Sequence, residues 1–332
     1  MVETMKIGPI HSMGVIVNYK CSAKCRHCCY SSSPSWPGDY MSDDMAHKVF
    51  RFMVDHHVRS CHIGGGEPFL KQDQLLAVCT LAREYGIHIE YIETNGSWNI
   101  KEEKTLQLLR KLLSVGVGCL LISVDPFHNE YVPYQKQKSL ISLCRKVGME
   151  TFVWPGNFGS DLSMLDTSVP HRIEEYDAFF GGNYKVDATR SYGLNCNGRA
   201  ISLCRDAYEL HPFDQLVGAI SPCTPLVSTG HCHLDLYGHY IPPICTGFVI
   251  DMEDLDAPIS PEKYPALTAA YEGGMKGLYQ YARELGFEPS RSTYVNRCDL
   301  CFDIKRYLCR EHPTADIGYP SYFEQSDYDQ NQ

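Results

Sequence analysis

The chain of 332 residues is long for one domain and short for three, which favours a main domain with one appendage. Hydrophobic residues make up 44% and charged residues 21%, ordinary globular usage that excludes a disordered, collagenous or coiled-coil chain. A net charge of -10 argues against a protein that tracks nucleic-acid phosphates, so nucleic acid is not an expected partner.

The opening MVETMKIGPIHSMG has neither a basic region nor a long apolar one, and no later stretch approaches the roughly 18 apolar residues of a membrane span. We expect a cytoplasmic protein with reduced thiols and no membrane partner. In that compartment sixteen cysteines point to metal binding or thiol chemistry rather than to disulfides.

Short β-rich runs alternate with helical patterns through the first 190 residues, the signature of βα units around a parallel sheet. The strands are expected at Gly14 to Tyr19, Cys61 to Gly65, His88 to Thr94, Leu120 to Val124, Thr151 to Trp154 and Tyr184 to Ala188. Helices are expected at Ser42 to His57, Asp73 to Tyr85, Lys101 to Leu113, Gln135 to Lys146 and, less regularly, Ile173 to Phe180. Ser42 is placed to cap a helix N-terminus, and Gly86 and Gly148 to close helix C-termini. Beyond residue 190 the pattern changes. His233 to Cys245 reads as a hairpin about Gly238, Pro261 to Leu285 as a helix interrupted at Gly273 and Gly274, and the tail from Pro313 as poorly packed.

The sharpest chemical signal is Cys21-Ser-Ala-Lys-Cys25-Arg-His-Cys28, just after the first strand. Three thiolates on one loop can hold three irons of a [4Fe-4S] cluster and leave the fourth position open. Zinc is the alternative, but a structural zinc site wants four closed ligands, and His27 beside Cys28 is badly placed to be the fourth.

This CxxxCxxC loop after an opening strand resembles the cluster loop of the radical S-adenosylmethionine (SAM) superfamily, usually CxxxCxΦC with an aromatic Φ; His27 stands at Φ. The resemblance extends to Gly64-Gly65-Gly66-Glu67-Pro68 at the second strand's end, which matches the family's GGE motif. It implies that Gly65, Gly66 and Glu67 meet the methionine amine of SAM, and that Thr94, Asn95, Ser123 and Asp125, at the ends of strands three and four, contact its ribose and methionine. Asn157 after strand five is a further candidate; the competing reading of each is a helix cap or turn residue.

The resemblance covers roughly residues 14 to 190 and implies an α/β fold: a partial (βα)6 TIM-like barrel over residues 1–190, followed by a small cysteine-rich α+β domain over 191–332. The later cysteines resemble the SPASM/twitch extension. By that likeness Cys223, Cys245, Cys298 and Cys301 hold one auxiliary [4Fe-4S] cluster, with Gly238 as the hairpin glycine and Cys232 the competitor to Cys223. The alternative for Cys298-Asp-Leu-Cys301 is a zinc ribbon. Cys309 follows alone, so one auxiliary cluster fits better than two. Cys61, Cys79, Cys119 and Cys144 read as small core residues, Cys29 as outside the ligand spacing, and Cys196 and Cys204 chiefly as packing.

The function implied is an enzyme whose first cluster reduces SAM to release a 5′-deoxyadenosyl radical, which abstracts hydrogen from a peptide or protein side chain for oxidation or cross-linking. The runner-up is radical oxidation or rearrangement of a small molecule, and a different class is a non-catalytic iron-sulfur electron carrier or redox sensor. A one-electron donor such as flavodoxin or ferredoxin is an implied partner. About thirteen residues precede the first strand, too few for a leader-binding domain, which lowers a leader-dependent substrate. No catalytic side chain is identified; Glu93, Asp125, Asp187 and Arg190 are the polar residues at strand ends.

Overall fold

A computed structural model describes residues 5–218 and 222–323. Strand β1 (Met13–Ile16) leads through the cysteine loop to α1 (Asp43–Asp55), β2 (Ser60–Gly64), α2 (Gln72–Glu84), β3 (His88–Thr94), α3 (Glu102–Ser114) and β4 (Cys119–Ser123). There follow α4 (Pro126–Asn129), α5 (Tyr134–Val147), β5 (Glu150–Trp154), α6 (Gly159–Leu162), α7 (Ile173–Phe180), α8 (Tyr184–Tyr192) and α9 (Ala200–Ala207). The rest comprises β6 (His211–Pro212), α10 (Phe213–Gly218), β7 (Cys232–Asp235), β8 (His239–Ile241), β9 (Ile250–Asp251), α11 (Pro265–Glu284), β10 (Thr293–Tyr294) and α12 (Arg297–Glu311).

The main sheet runs β5-β4-β3-β2-β1-β7-β8-β9, parallel from β5 to β7 and antiparallel at its last two strands. One face of β1 to β4 packs under the helices: Val15, Ile63, Ile92, Leu120 and Ile122 are all fully buried. The alternate positions face inward, where Tyr91, Glu93, Leu121, Ser123, Phe152 and Trp154 line a cavity. Local chemistry agrees with the helix ends: the Ser42 hydroxyl accepts from Met45 N at 3.2 Å, and Gly148 closes α5 at φ 77°.

Two expectations are corrected. Residues 184 to 188 form the start of α8 rather than a strand, and the sixth parallel strand is β7, which pairs with β1 from the other half of the chain. The segment after Pro313 is packed through residue 323, because Tyr322 and Phe323 are buried and the Tyr319 hydroxyl donates to the buried Asp235 carboxylate at 2.8 Å, as Tyr19 also does. Residues 324–332 of that tail lie outside the described residues. The Cys298/Cys301 pair sits in the first turn of helix α12, where the Asn296 side chain caps the turn by accepting from Cys298 N at 2.9 Å.

Candidate active site

At the C-terminal ends of β1 to β5 lies a cavity of about 410 Å³. Its lining gathers Cys21, Cys25, Cys28, His27, Gly65, Gly66, Thr94, Asn95 and Ser123, together with Cys29, Glu93 and His128. Cys21, Ala23 and Cys25 form a small buried cluster with Cys28 packed against it. The donor set is three soft thiols on one loop, which fits iron-sulfur ligation. Two N–H groups already point at sulfur: Ala23 N lies 3.4 Å and Asn95 Nδ2 3.5 Å from Cys21 Sγ. Burial, then the neighbouring Cys25 and Glu67, pushes the free Cys21 thiol up, so a bound cation is what would hold it as thiolate.

The glycine run serves the loop. A Cβ at Gly65 would lie 2.6 Å from Asn18 Oδ1, and one at Gly66 would strike the Lys20 carbonyl. With no side chains there, Gly66 N donates to Asn18 O at 2.8 Å and Glu67 N to Lys20 O at 3.0 Å, which seats the chain entering Cys21 against the end of β2.

Two predicted contact residues face elsewhere. Glu67 is fully buried behind the lining; its carboxylate accepts from Phe69 N at 3.1 Å, Thr94 Oγ1 at 2.9 Å and Asn95 N at 2.8 Å. It ties the ends of β2 and β3 together, although burial raises its carboxyl to about 7. Asp125 is fully buried and caps α4, accepting from His128 N at 2.9 Å and pairing with His128 Nδ1 at 2.6 Å. Burial opposes its ionisation, but His128 and His27 outweigh that and hold it at about 2. Asn157 bonds Ser191, Arg190 donates to the Ala207 carbonyl at 2.7 Å, and Asp187 lies within α8, so none of the three lines the cavity.

The Ser123 hydroxyl, in contrast, has no hydrogen-bond partner among the described residues and lines the cavity. His27 stands between Phe127, His128 and Tyr192, and burial lowers its pKa to about 3, so it is a neutral ring at the loop. Glu93 points into the cavity through the space left by Gly64, where a Cβ would sit 2.8 Å from its Oε2. Burial raises its carboxyl to about 7, against the pull of His231 and His128.

Sequence reading missed the segment that braces the loop. Arg199 is buried; its Nε donates to Cys25 O at 3.0 Å, its Nη2 to Ser32 O at 2.5 Å and its backbone N to Cys28 O at 3.1 Å. Gly198 lets this strap approach, since a Cβ there would lie 2.7 Å from the Cys28 carbonyl.

A second cavity, of about 280 Å³, lies in the later half of the chain. Cys223, Cys245, Cys298 and Cys301 all line it, and so does Lys305. Cys232 is instead buried against Ser12, its Sγ 3.6 Å from that carbonyl, and Cys309 Sγ bonds Gly318 O at 3.6 Å. Lys305 was not foreseen. Its ammonium is buried, 3.8 Å from Cys245 Sγ, and donates to the Thr246 carbonyl. Burial would lower its pKa, but the four cysteines raise it, so it stays charged among them.

The sequence of residues 15–165 matches the family model of the radical SAM superfamily. Residues 15–165 thus carry a radical SAM superfamily domain. Members of that superfamily use a [4Fe-4S] cluster and SAM, and the thiol loop described above falls within the matched residues. Over 135 residues the chain is 27% identical to the "Putative peptide biosynthesis protein YydG" of Bacillus subtilis (strain 168), covering 41% of this chain and 42% of YydG, so it spans under half the length of that curated relative. Among solved structures it is similar to native anSMEcpe with bound AdoMet, at 12% identity and a TM-score of 0.45, covering 90% of this chain and 96% of that one. It is also similar to SuiB of Streptococcus suis bound to S-adenosylmethionine, at 15% identity and a TM-score of 0.38, covering 96% and 77%. Among the described residues no helix is long and apolar enough to cross a membrane.

Proposed function

We propose that this radical SAM protein modifies a peptide or protein side chain by hydrogen abstraction. The observation that carries the reading is the convergence of Cys21, Cys25 and Cys28 with Gly65, Gly66, Asn95 and Ser123 on one cavity at the strand ends. A cluster held by the three thiolates would supply the electron that splits SAM into methionine and a 5′-deoxyadenosyl radical. The chain's own part is to orient and enclose. Asn95 bridges the Cys21 thiol and the Ser22 hydroxyl, the free Ser123 hydroxyl meets the ligand, and Trp154 and Tyr192 close the cavity wall.

A peptide is favoured over a small molecule by the name of the relative YydG and by Phe152 and Trp154, large apolar side chains that line the cavity while nearly half exposed. We assign residues 1–190 to the SAM-cleaving unit and 191–332 to an auxiliary unit in which Cys223, Cys245, Cys298 and Cys301 ligate a second cluster, with flavodoxin or ferredoxin as the electron source. The test is to incubate the anaerobically reconstituted protein with side-chain-deuterated candidate peptides and follow deuterium into 5′-deoxyadenosine. Label arriving from a peptide supports the reading; label arriving only from a small molecule refutes it.

A further inference from the structure

Three histidines converge inside the barrel, on the inward face that also carries Glu93. Gly14 of β1 is in register with His62 of β2 on one side and His233 of β7 on the other. Residues in register point to the same face, and Gly14 has no side chain to hold the flanking rings apart. A Cβ there would stand 2.5 Å from both His62 Nε2 and His233 Cδ2. His231, two residues before His233 and so on the same face, completes the group: its ring lies 5.0 Å from that of His62 and 5.1 Å from that of His233.

One nitrogen from each ring lies within 4.8 Å of the others. A tetrahedral ion with Zn–N of about 2.0–2.1 Å needs them roughly 3.3 Å apart, so rotations of about an ångström would close the site. The surroundings favour ligation over packing. His231 Nδ1 bonds Ser12 Oγ at 2.7 Å, which fixes that ring and leaves Nε2 free, the usual arrangement behind a metal-bound imidazole. His62 is 3% exposed and His233 half-buried, and neither makes a hydrogen bond among the described residues. Glu93 Oε1 lies 3.7 Å from His62 Nε2, and Glu90 is a second acid whose charge reaches that ring.

We propose that His62, His231 and His233 bind one divalent transition-metal ion of the zinc class, with Glu93 as the fourth donor. Borderline cations prefer neutral imidazole, and three histidines with one carboxylate complete the four-ligand set that a tetrahedral zinc takes. The ion sits beside the cavity because Glu93 belongs to both. The proposal stands independently of the SAM reading, since it uses none of the cysteines.

The test uses the full chain with its clusters loaded, so that the thiols are occupied. After equilibration with zinc and removal of the excess, metal analysis should find about one zinc per chain, and zinc-edge absorption should show only nitrogen and oxygen neighbours at about 2.0–2.1 Å. His231→Gln, at a partly exposed position, and Gly14→Ala, which forces the rings apart without removing a donor, should each weaken retention at least about tenfold. Both should leave the cluster iron content and uncoupled SAM cleavage in place. Zinc with sulfur neighbours at about 2.3 Å, zinc retained unchanged in His231→Gln, or no zinc above background would each overturn the proposal.

Discussion

Arg199 reaches back 174 positions to donate its Nε to the carbonyl of Cys25 at 3.0 Å, so a residue of the later half of the chain fixes the loop that carries the first three thiols. Its Nη2 and backbone N–H add bonds to Ser32 and Cys28 on either side of the same loop. A hydrogen bond from a charged donor is worth about 1.5–3 kcal/mol, and this one is out of water. Arg199→Met should therefore loosen the loop. Iron bound at the first cluster, read by metal analysis and electron paramagnetic resonance, should fall while the auxiliary signal persists; full loading of both would remove Arg199 from this role.

At the second cavity the prediction is electrostatic. Lys305 places a buried positive charge 3.8 Å from Cys245 Sγ. Lys305→Met should shift the auxiliary reduction potential to more negative values, because the reduced cluster loses a stabilising cation, and should leave the first potential where it was. An unshifted auxiliary potential contradicts the placement of that cluster.

The same cavity separates two cysteines that spacing alone could not. Cys223 lines it, whereas Cys232 is buried against Ser12, where burial pushes its thiol up to about 12. Cys223→Ala should lose about half of the roughly eight irons expected for two [4Fe-4S] clusters, and Cys232→Ala should lose little. The reverse order would hand the ligand role to Cys232.

Glu67 carries a pH signature. Its folded carboxyl is raised by burial to about 7, against about 4.3 for an unfolded glutamate, so the folded state holds a proton that the unfolded state releases between those values. The sign follows: this group's contribution is fully present below about pH 4.3 and is lost as pH rises through about 7, by up to roughly 4 kcal/mol. Glu67→Gln should flatten that fall, while costing about 1–3 kcal/mol overall because one of Phe69 N and Asn95 N then faces an amide NH2. Urea unfolding at about pH 5 and about pH 7.5 compares the two slopes; equal slopes would show that Glu67 is not the titrating group.

Much of this was legible in the sequence, because local patterns made it so. Strand β3 begins and ends at His88 and Thr94 as read, since its seven residues are rich in β-branched and aromatic side chains and the following Asn95-Gly96 breaks the run. The five residues from Tyr184 to Ala188 are too short to tell period 2 from period 3.6; they became α8, burying Ala188 and Thr189. Their slot in the sheet went to β7, a parallel partner drawn from beyond residue 230, and no local signal announces such long-range pairing.

Site residues divide in the same way. The cysteine loop was readable because ligand spacing is local, but whether an acid at a strand end faces a cavity or caps a helix depends on packing. Glu67 and Asp125 cap, and Glu93 faces in because Gly64 leaves room beside it. Arg199, Lys305 and the three histidines gain their meaning from residues far away in the chain.

The most direct test of the account is SAM cleavage by the anaerobically reconstituted protein under a strong one-electron reductant. The wild-type protein should form 5′-deoxyadenosine and methionine, and the protein with Cys21, Cys25 and Cys28 all changed to Ala should form neither while keeping about four irons at the auxiliary site. Formation of 5′-deoxyadenosine by the triple variant at the wild-type rate would contradict the assignment of the SAM-cleaving centre to that loop.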